Sequence, residues 1–194
     1  MATNPTTRLT PEQYLEIERK AEFKSEYYQG EMFAMGGARE AHNLIGLNLG
    51  AEVRQQLRKT GCRAYVNDMR VRVNATGLYT YPDLVAVCGE PEFLDATRDT
   101  LLNPNLLAEV LSPSTERYDR GRKFEHYRSI QSLSEYLLVS TDRMSAELYT
   151  RQSAGRWLLT AVNRQEDTLE LQSIGVRLTL SDLYDKVDLT QTGD

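Results

Sequence analysis

Tyr81-Pro82-Asp83-Leu84-Val85-Ala86-Val87, then Leu106-Leu107-Ala108-Glu109-Val110-Leu111, then Asp119-Arg120-Gly121-Arg122-Lys123: the reading of these three pieces, all within residues 81–123, decides the fold. The first two read as strands, and each carries one carboxylate among apolar residues. An ionised carboxylate inside a packed sheet costs several kcal/mol unless something compensates it. The compensation is an ion pair, a dense set of hydrogen bonds, or a metal. Two acids on neighbouring strands with a lysine on the next helix point to a metal. Pairing of each acid with a buried arginine is the alternative.

Outward from this stretch, Asp83, Val85 and Val87 share one strand face by the period of two. Leu106 to Leu111 is apolar on both faces except for Glu109, as a central strand is. Pro82 stands at a strand start, where a missing N–H is tolerated. A helix is expected over 119–129, with Phe124, Tyr127 and Ile130 as its buried stripe and Lys123 bordering it. Residues 90–104 read as a polar connection, and Tyr136 to Val139 as another buried strand.

Upstream, Thr10-Pro11-Glu12-Gln13 is a helix start with a capping box, and the helix should run to about Lys20. Glu26 to Tyr28 and Glu31 to Met35 flank Gln29-Gly30 as a hairpin. Leu44, Ile45, Leu49, Val53 and Leu57 give a helix over about 39–59 its buried stripe. Short strands follow, and in Met69 to Val73 the alternation with Arg70 and Arg72 predicts one wet face. Downstream the chain is mostly β, with a last short helix that Ser181 could cap. These elements predict an α/β domain of packed layers, a mixed sheet flanked by helices.

The chain has 194 residues, suited to one domain with a sizeable core. Its net charge of -5 argues against a surface coated for nonspecific nucleic-acid binding, while leaving room for a local basic groove. Cys62 and Cys88 have no metal-ligand spacing and read as reduced thiols of a cytoplasmic protein. No apolar run reaches membrane-spanning length, and Glu12, Glu16 and Glu18 stand where a signal peptide would be apolar. Dinucleotide fingerprint, P-loop, zinc spacing and serine-nucleophile elbow are all missing from the sequence.

Mg²⁺ takes oxygen ligands, often one or two carboxylates plus phosphate and water. Strand-borne Asp83 and Glu109 suit such an ion, and a nearby lysine could stabilise charge developing on phosphorus. Pro82-Asp83 followed by Glu109-Val110-Leu111 resembles the motif of the PD-(D/E)XK nuclease superfamily. The motif lysine belongs two residues after the acid, where this chain has Leu111; the superfamily's habit of moving it to a neighbouring helix makes Lys123 the candidate. In chain order, Gly30-Glu31, His42, Pro82-Asp83, Glu109 to Thr115, Asp119, Lys123, Tyr127 and Glu135-Tyr136 resemble the Uma-type putative restriction endonuclease family of prokaryotes. Leu133-Ser134 departs from that family's usual Gly-Val.

The resemblance covers about residues 10–187. It implies a restriction-endonuclease-like α/β fold with a further C-terminal β-rich segment, as one domain over 1–194. It implies Mg²⁺- or Mn²⁺-dependent hydrolysis of DNA phosphodiesters, with Asp83 and Glu109 as metal ligands, Lys123 catalytic and Glu31 a third acid. RNA or branched DNA as substrate stays open, as does a noncatalytic module that binds nucleic acid or protein on the same fold. Cutting both strands of a duplex usually needs two sites, so a homodimer is expected. His42 could face the site or a phosphate, or be a structural hydrogen-bonder. Asp119 reads as a helix cap or tether for a basic residue, His126 as surface, and Arg117, Arg120 and Arg122 as phosphate contacts or a solvated face.

Overall fold

The computed structural model describes residues 8–191. Helix α1 (Pro11–Glu18) begins with the expected capping box: Thr10 Oγ1 accepts from Gln13 N–H, and Gln13 Oε1 accepts from Thr10 N–H. Strands β1 (Ser25–Tyr28) and β2 (Glu31–Ala34) form the expected hairpin. Its turn residues Gln29 and Gly30 both have positive φ, 50° and 91°. Gly30 is further constrained, because a Cβ there would lie 2.5 Å from Arg8 Cβ.

Helix α2 (Glu40–Leu57) buries Ile45, Leu49, Val53 and Leu57, while Leu44 is only half-buried. Its partner is a six-stranded sheet of β3 (Cys62–Val66), β6 (Leu84–Cys88), β8 (Leu106–Leu111), β9 (Glu135–Ser140), β10 (Ala146–Arg151) and β11 (Trp157–Val162), in the order β11-β10-β9-β8-β6-β3. Only β8 and β9 pair in parallel, so the sheet is mixed, and β8 is central as its apolar run predicts. The period of two divides the side chains cleanly. Leu84, Ala86, Leu106, Ala108 and Val110 face α2, and Val85, Val87, Leu107 and Leu111 face the opposite layer. Glu109 therefore sits on the second face, between Leu107 and Leu111 along β8.

That second layer is mainly a sheet, where helices alone were expected. It has the order β2-β1-β5-β4-β7, with β4 (Arg70–Val73), β5 (Leu78–Thr80) and β7 (Thr100–Leu101). β7 lies in the stretch read as a polar connection. The wet face expected of β4 is absent at Arg70, which is buried: its Nε donates to Tyr81 Oη at 2.8 Å and its Nη1 to Thr100 Oγ1 at 3.1 Å. Buried arginine is tolerated when its donors are met.

The helix expected over 119–129 begins earlier and is irregular. It runs from α3 (Glu116–Tyr118) through a π-helical turn (Asp119–Lys123) into α4 (Phe124–Tyr127). The C-terminal β segment divides. β10 and β11 extend the six-stranded sheet, while β12 (Thr168–Leu171) and β13 (Val176–Thr179) form a hairpin beside α2. The last helix, α5 (Leu180–Leu183), is capped by Thr179, whose Oγ1 accepts from Asp182 N–H; Ser181, the expected cap, lies inside it.

Cys62 and Cys88 are joined by a disulfide, which corrects their reading as reduced thiols. They are direct cross-strand partners on β3 and β6, a juxtaposition that spacing along the chain does not reveal. Among the described residues, no helix is long and apolar enough to cross a membrane.

Candidate active site

Glu109 lies on β8, and Asp83 stands immediately before β6, its antiparallel neighbour. Leu84 pairs with Ala108, so the next step along the ladder sets Asp83 opposite Glu109. Asp83 Oδ2 accepts from Val110 N–H at 2.7 Å, which ties the start of β6 to β8 at this point. Glu109 is 4% exposed, and its Oε1 accepts from Tyr127 Oη at 2.8 Å and Lys123 Nζ at 2.9 Å.

Lys123 is buried beside Glu109. It is 5% exposed, and its ammonium contacts three acids: Glu109 at 2.9 Å, Glu26 at 3.3 Å and Asp119 at 3.4 Å. The tether role expected of Asp119 is thus found, but inside the protein. The helix geometry helps. Residues four apart on an α-helix drift by about 40° around the axis, at about 100° per residue. A wider π turn reduces that drift. Asp119, Lys123 and Tyr127 are accordingly all buried on one side.

Glu26 is the acid that sequence reasoning missed. It lies on inner strand β1, where Thr80 Oγ1 donates to it and Tyr118 packs against it. Glu31, the acid expected at the site, is exposed on edge strand β2, opposite Tyr28, and makes no ion pair with Lys123. Which arm of the hairpin turns inward is set by the pairing of β1 with distant β5, so the hairpin's own register does not single out Glu26. Tyr127, expected only as core packing, also orients Glu109.

Beyond these, His42 Nε2 stands 3.4 Å from Asp83 Oδ2. His126 is not surface: it is 9% exposed, and its ring meets Tyr28 edge-on at 4.8 Å. Arg120 is occupied by Glu116 and Glu147, whereas Arg117 and Arg122 are exposed.

Burial pushes the Glu109 carboxyl well above its ordinary range; Lys123 opposes the rise, and Asp119 and Asp83 add to it. Burial also raises Asp119 against the pull of Lys123. For Lys123, burial works toward deprotonation, but Glu109, Glu26 and Asp119 outweigh it and hold the ammonium protonated. One ammonium cannot neutralise three ionised carboxylates, so Glu109 and Asp119 are the groups poised to retain a proton. Burial works to lower His42 as well, and Asp83 beside it turns the net shift upward.

Among the described residues, no three His, Cys, Asp or Glu side chains form a ready-made metal cluster. The donor set still fits a hard divalent cation. Asp83 and Glu109 each commit one oxygen to protein donors, and among the described residues no hydrogen bond or ion pair reaches Asp83 Oδ1 or Glu109 Oε2. Both are carboxylate oxygens on neighbouring strands, the ligand type that Mg²⁺ and Mn²⁺ take.

Residues 11–181 match the Uma2 family, described as "Putative restriction endonuclease". This chain belongs to the Uma2 family. Its relatives include two proteins of Synechocystis sp. (strain ATCC 27184 / PCC 6803 / Kazusa). "Uncharacterized protein slr1290" is 37% identical over 181 residues, covering 93% of each chain. "Uncharacterized protein sll1609" is 35% identical over 170 residues, covering 88% of this chain and 96% of its own. The fold is similar to that of a crystal structure described as a putative nuclease belonging to DUF820, from Anabaena variabilis ATCC 29413. The TM-score is 0.76 at 16% identity, over 93% of this chain and 99% of that one. The Uma2 resemblance drawn from residues 30–136 is therefore a family membership, and the mixed α/β architecture is shared with that solved structure.

Proposed function

We propose that this chain is a divalent-cation-dependent nuclease that hydrolyses DNA phosphodiester bonds at the Asp83–Glu109–Lys123 cluster. The observation that carries the reading is Lys123 buried 2.9 Å from Glu109, in a chain whose Leu111 vacates the motif position. Asp83 and Glu109 are the ligands for Mg²⁺ or Mn²⁺ in this reading. Such an ion supplies Lewis-acid charge for the phosphate and acidifies water at the site. The protein's own groups do the rest. Lys123 brings a fixed positive charge to where negative charge grows on the phosphate oxygens, a contribution commonly worth about 3 kcal/mol. Glu26 and Asp119 keep that ammonium protonated and aimed. Tyr127 holds the Glu109 carboxylate in one orientation. Pairing of Asp83 and Glu109 with buried arginines, the alternative to a metal, has no support among the described residues: the cation beside Glu109 is a lysine, and that beside Asp83 a histidine.

Supercoiled plasmid incubated with purified protein tests this directly. Nicking is expected with Mg²⁺ or Mn²⁺, is abolished by chelator, and falls at least ~100-fold in Asp83→Asn. Intact plasmid with both ions, over a range of salt and pH, would refute the proposal.

A further inference from the structure

Strand β11 ends the six-stranded sheet, and among the described residues its backbone hydrogen-bonds to β10 alone. Alternate residues of that backbone therefore point their N–H and C=O groups away from the sheet. The strand reads Trp157-Leu158-Leu159-Thr160-Ala161-Val162, without a charge or a proline. Leu158 is 56% and Leu159 47% exposed, and as neighbours on a strand they stand on opposite faces. An edge strand is ordinarily kept from pairing with another chain by charge, proline, a bulge or short length. The other described edges follow that rule. β3 carries Arg63, β2 carries exposed Glu31, β7 is two residues long, and β12 and β13 carry Glu170 and Arg177. β11 is the edge left open.

The ends of the strand indicate what pairs with it. Arg156 is exposed just before β11, and Glu166 is exposed in the turn after it. Neither joins an ion pair among the described residues. They are separated by the length of β11, on the order of 20 Å, and cannot meet within one chain. When two β11 strands pair antiparallel, the start of one lies beside the end of the other. Arg156 of each copy then faces Glu166 of the partner subunit. Arg164 in the same turn is outweighed there by Glu166 and Asp167. The strand itself sets no like charges opposite one another, which matters in a chain of net charge -5. The edge is thus complementary to its own copy, as a twofold interface requires.

We propose that β11 is a self-association edge, on which two copies of this chain pair antiparallel about a twofold axis and join their six-stranded sheets into one. The backbone groups along the open edge supply the hydrogen bonds, and Leu158 and Leu159 are covered on the two faces. The axis of such a pair stands perpendicular to the sheet, so the faces that carry Glu109 in the two copies point the same way. The surface holds whatever reaction the cluster around Glu109 performs.

Sedimentation velocity of the full chain, without DNA or metal, over a micromolar concentration series tests this. A dimer is expected. Leu159→Lys places a lysine on each of the paired strands and should raise the dimer Kd at least about tenfold. Arg156→Glu should raise it about fivefold, and adding Glu166→Arg should bring it back to within about twofold of wild type. Because these two residues cannot meet within one chain, that restoration reports pairing between copies. A wild-type monomer throughout the series overturns the proposal, as does a dimer unmoved by Leu159→Lys. So does a charge swap that restores nothing, or open assemblies larger than a dimer. Should Leu159→Lys not fold, the charge swap on the exposed ends decides alone.

Discussion

Glu26 and Glu31 separate by environment, although both are glutamates of one hairpin. Glu26 is turned inward on β1, 3.3 Å from the Lys123 ammonium; Glu31 is exposed on the edge strand. Glu26→Gln should weaken the hold on Lys123 and lower cleavage at least tenfold, whereas Glu31→Gln should stay within about twofold. Plasmid nicking rates for the two variants check this, and the reverse ranking would restore Glu31 as the site acid. Glu109 adds a pH signature. Its folded-state value and that of Asp119 lie above 4.5 and 3.8, so the fold favours their protonated forms. That stability is fully present below the unfolded values and is lost as pH rises through the raised folded ones. Metal-free protein should therefore lose stability from about pH 4 toward neutrality through these two groups. Glu109→Gln removes the larger part, so urea melts in chelator at pH 5 to 8 should show a shallower fall than wild type. Equal slopes would mean that Glu109 stays ionised and firmly paired. Lys123 is also raised, so its contribution is lost only as pH rises through a value above 10.5, outside that window.

At the scale of the element, the π turn over Asp119–Lys123 is the feature least visible beforehand. Asp119, Lys123 and Tyr127 are spaced by four, which an ordinary helix also brings to one side. Nothing in their types announces an extra residue in the turn. Strands were more legible. The apolar run around Glu109 puts that acid on β8 as expected, and the alternation with Val85 and Val87 puts Asp83 beside the start of neighbouring β6, one residue short of the strand. Arg70 shows the limit of that rule, because alternation identifies a face but not the Tyr81 and Thr100 acceptors that make it a buried one. Deleting Gly121 should return the segment to a regular α-helix and rotate Lys123 away from Glu109. Far-UV circular dichroism should stay near wild type while metal-dependent nicking falls below about 1%. Retained cleavage would show that the π turn is incidental to the site.

Across the whole molecule, the site exists only where separate layers meet. Asp83 and Glu109 come from the six-stranded sheet, Glu26 from the five-stranded sheet, Lys123 and Asp119 from the π turn, and His42 from α2. Local patterning could locate Asp83, Glu109 and Lys123, because each breaks an apolar run or borders a stripe. It could not locate Glu26, nor the Cys62–Cys88 disulfide, because both depend on how distant strands pair. In the proposed function these layers converge on one divalent ion between Asp83 and Glu109. Anomalous scattering from crystals soaked in Mn²⁺ measures this most directly. One strong peak is expected within bonding distance of both carboxylates and close to Lys123. A peak elsewhere, or none at saturating Mn²⁺ with the site open to solvent, would contradict it.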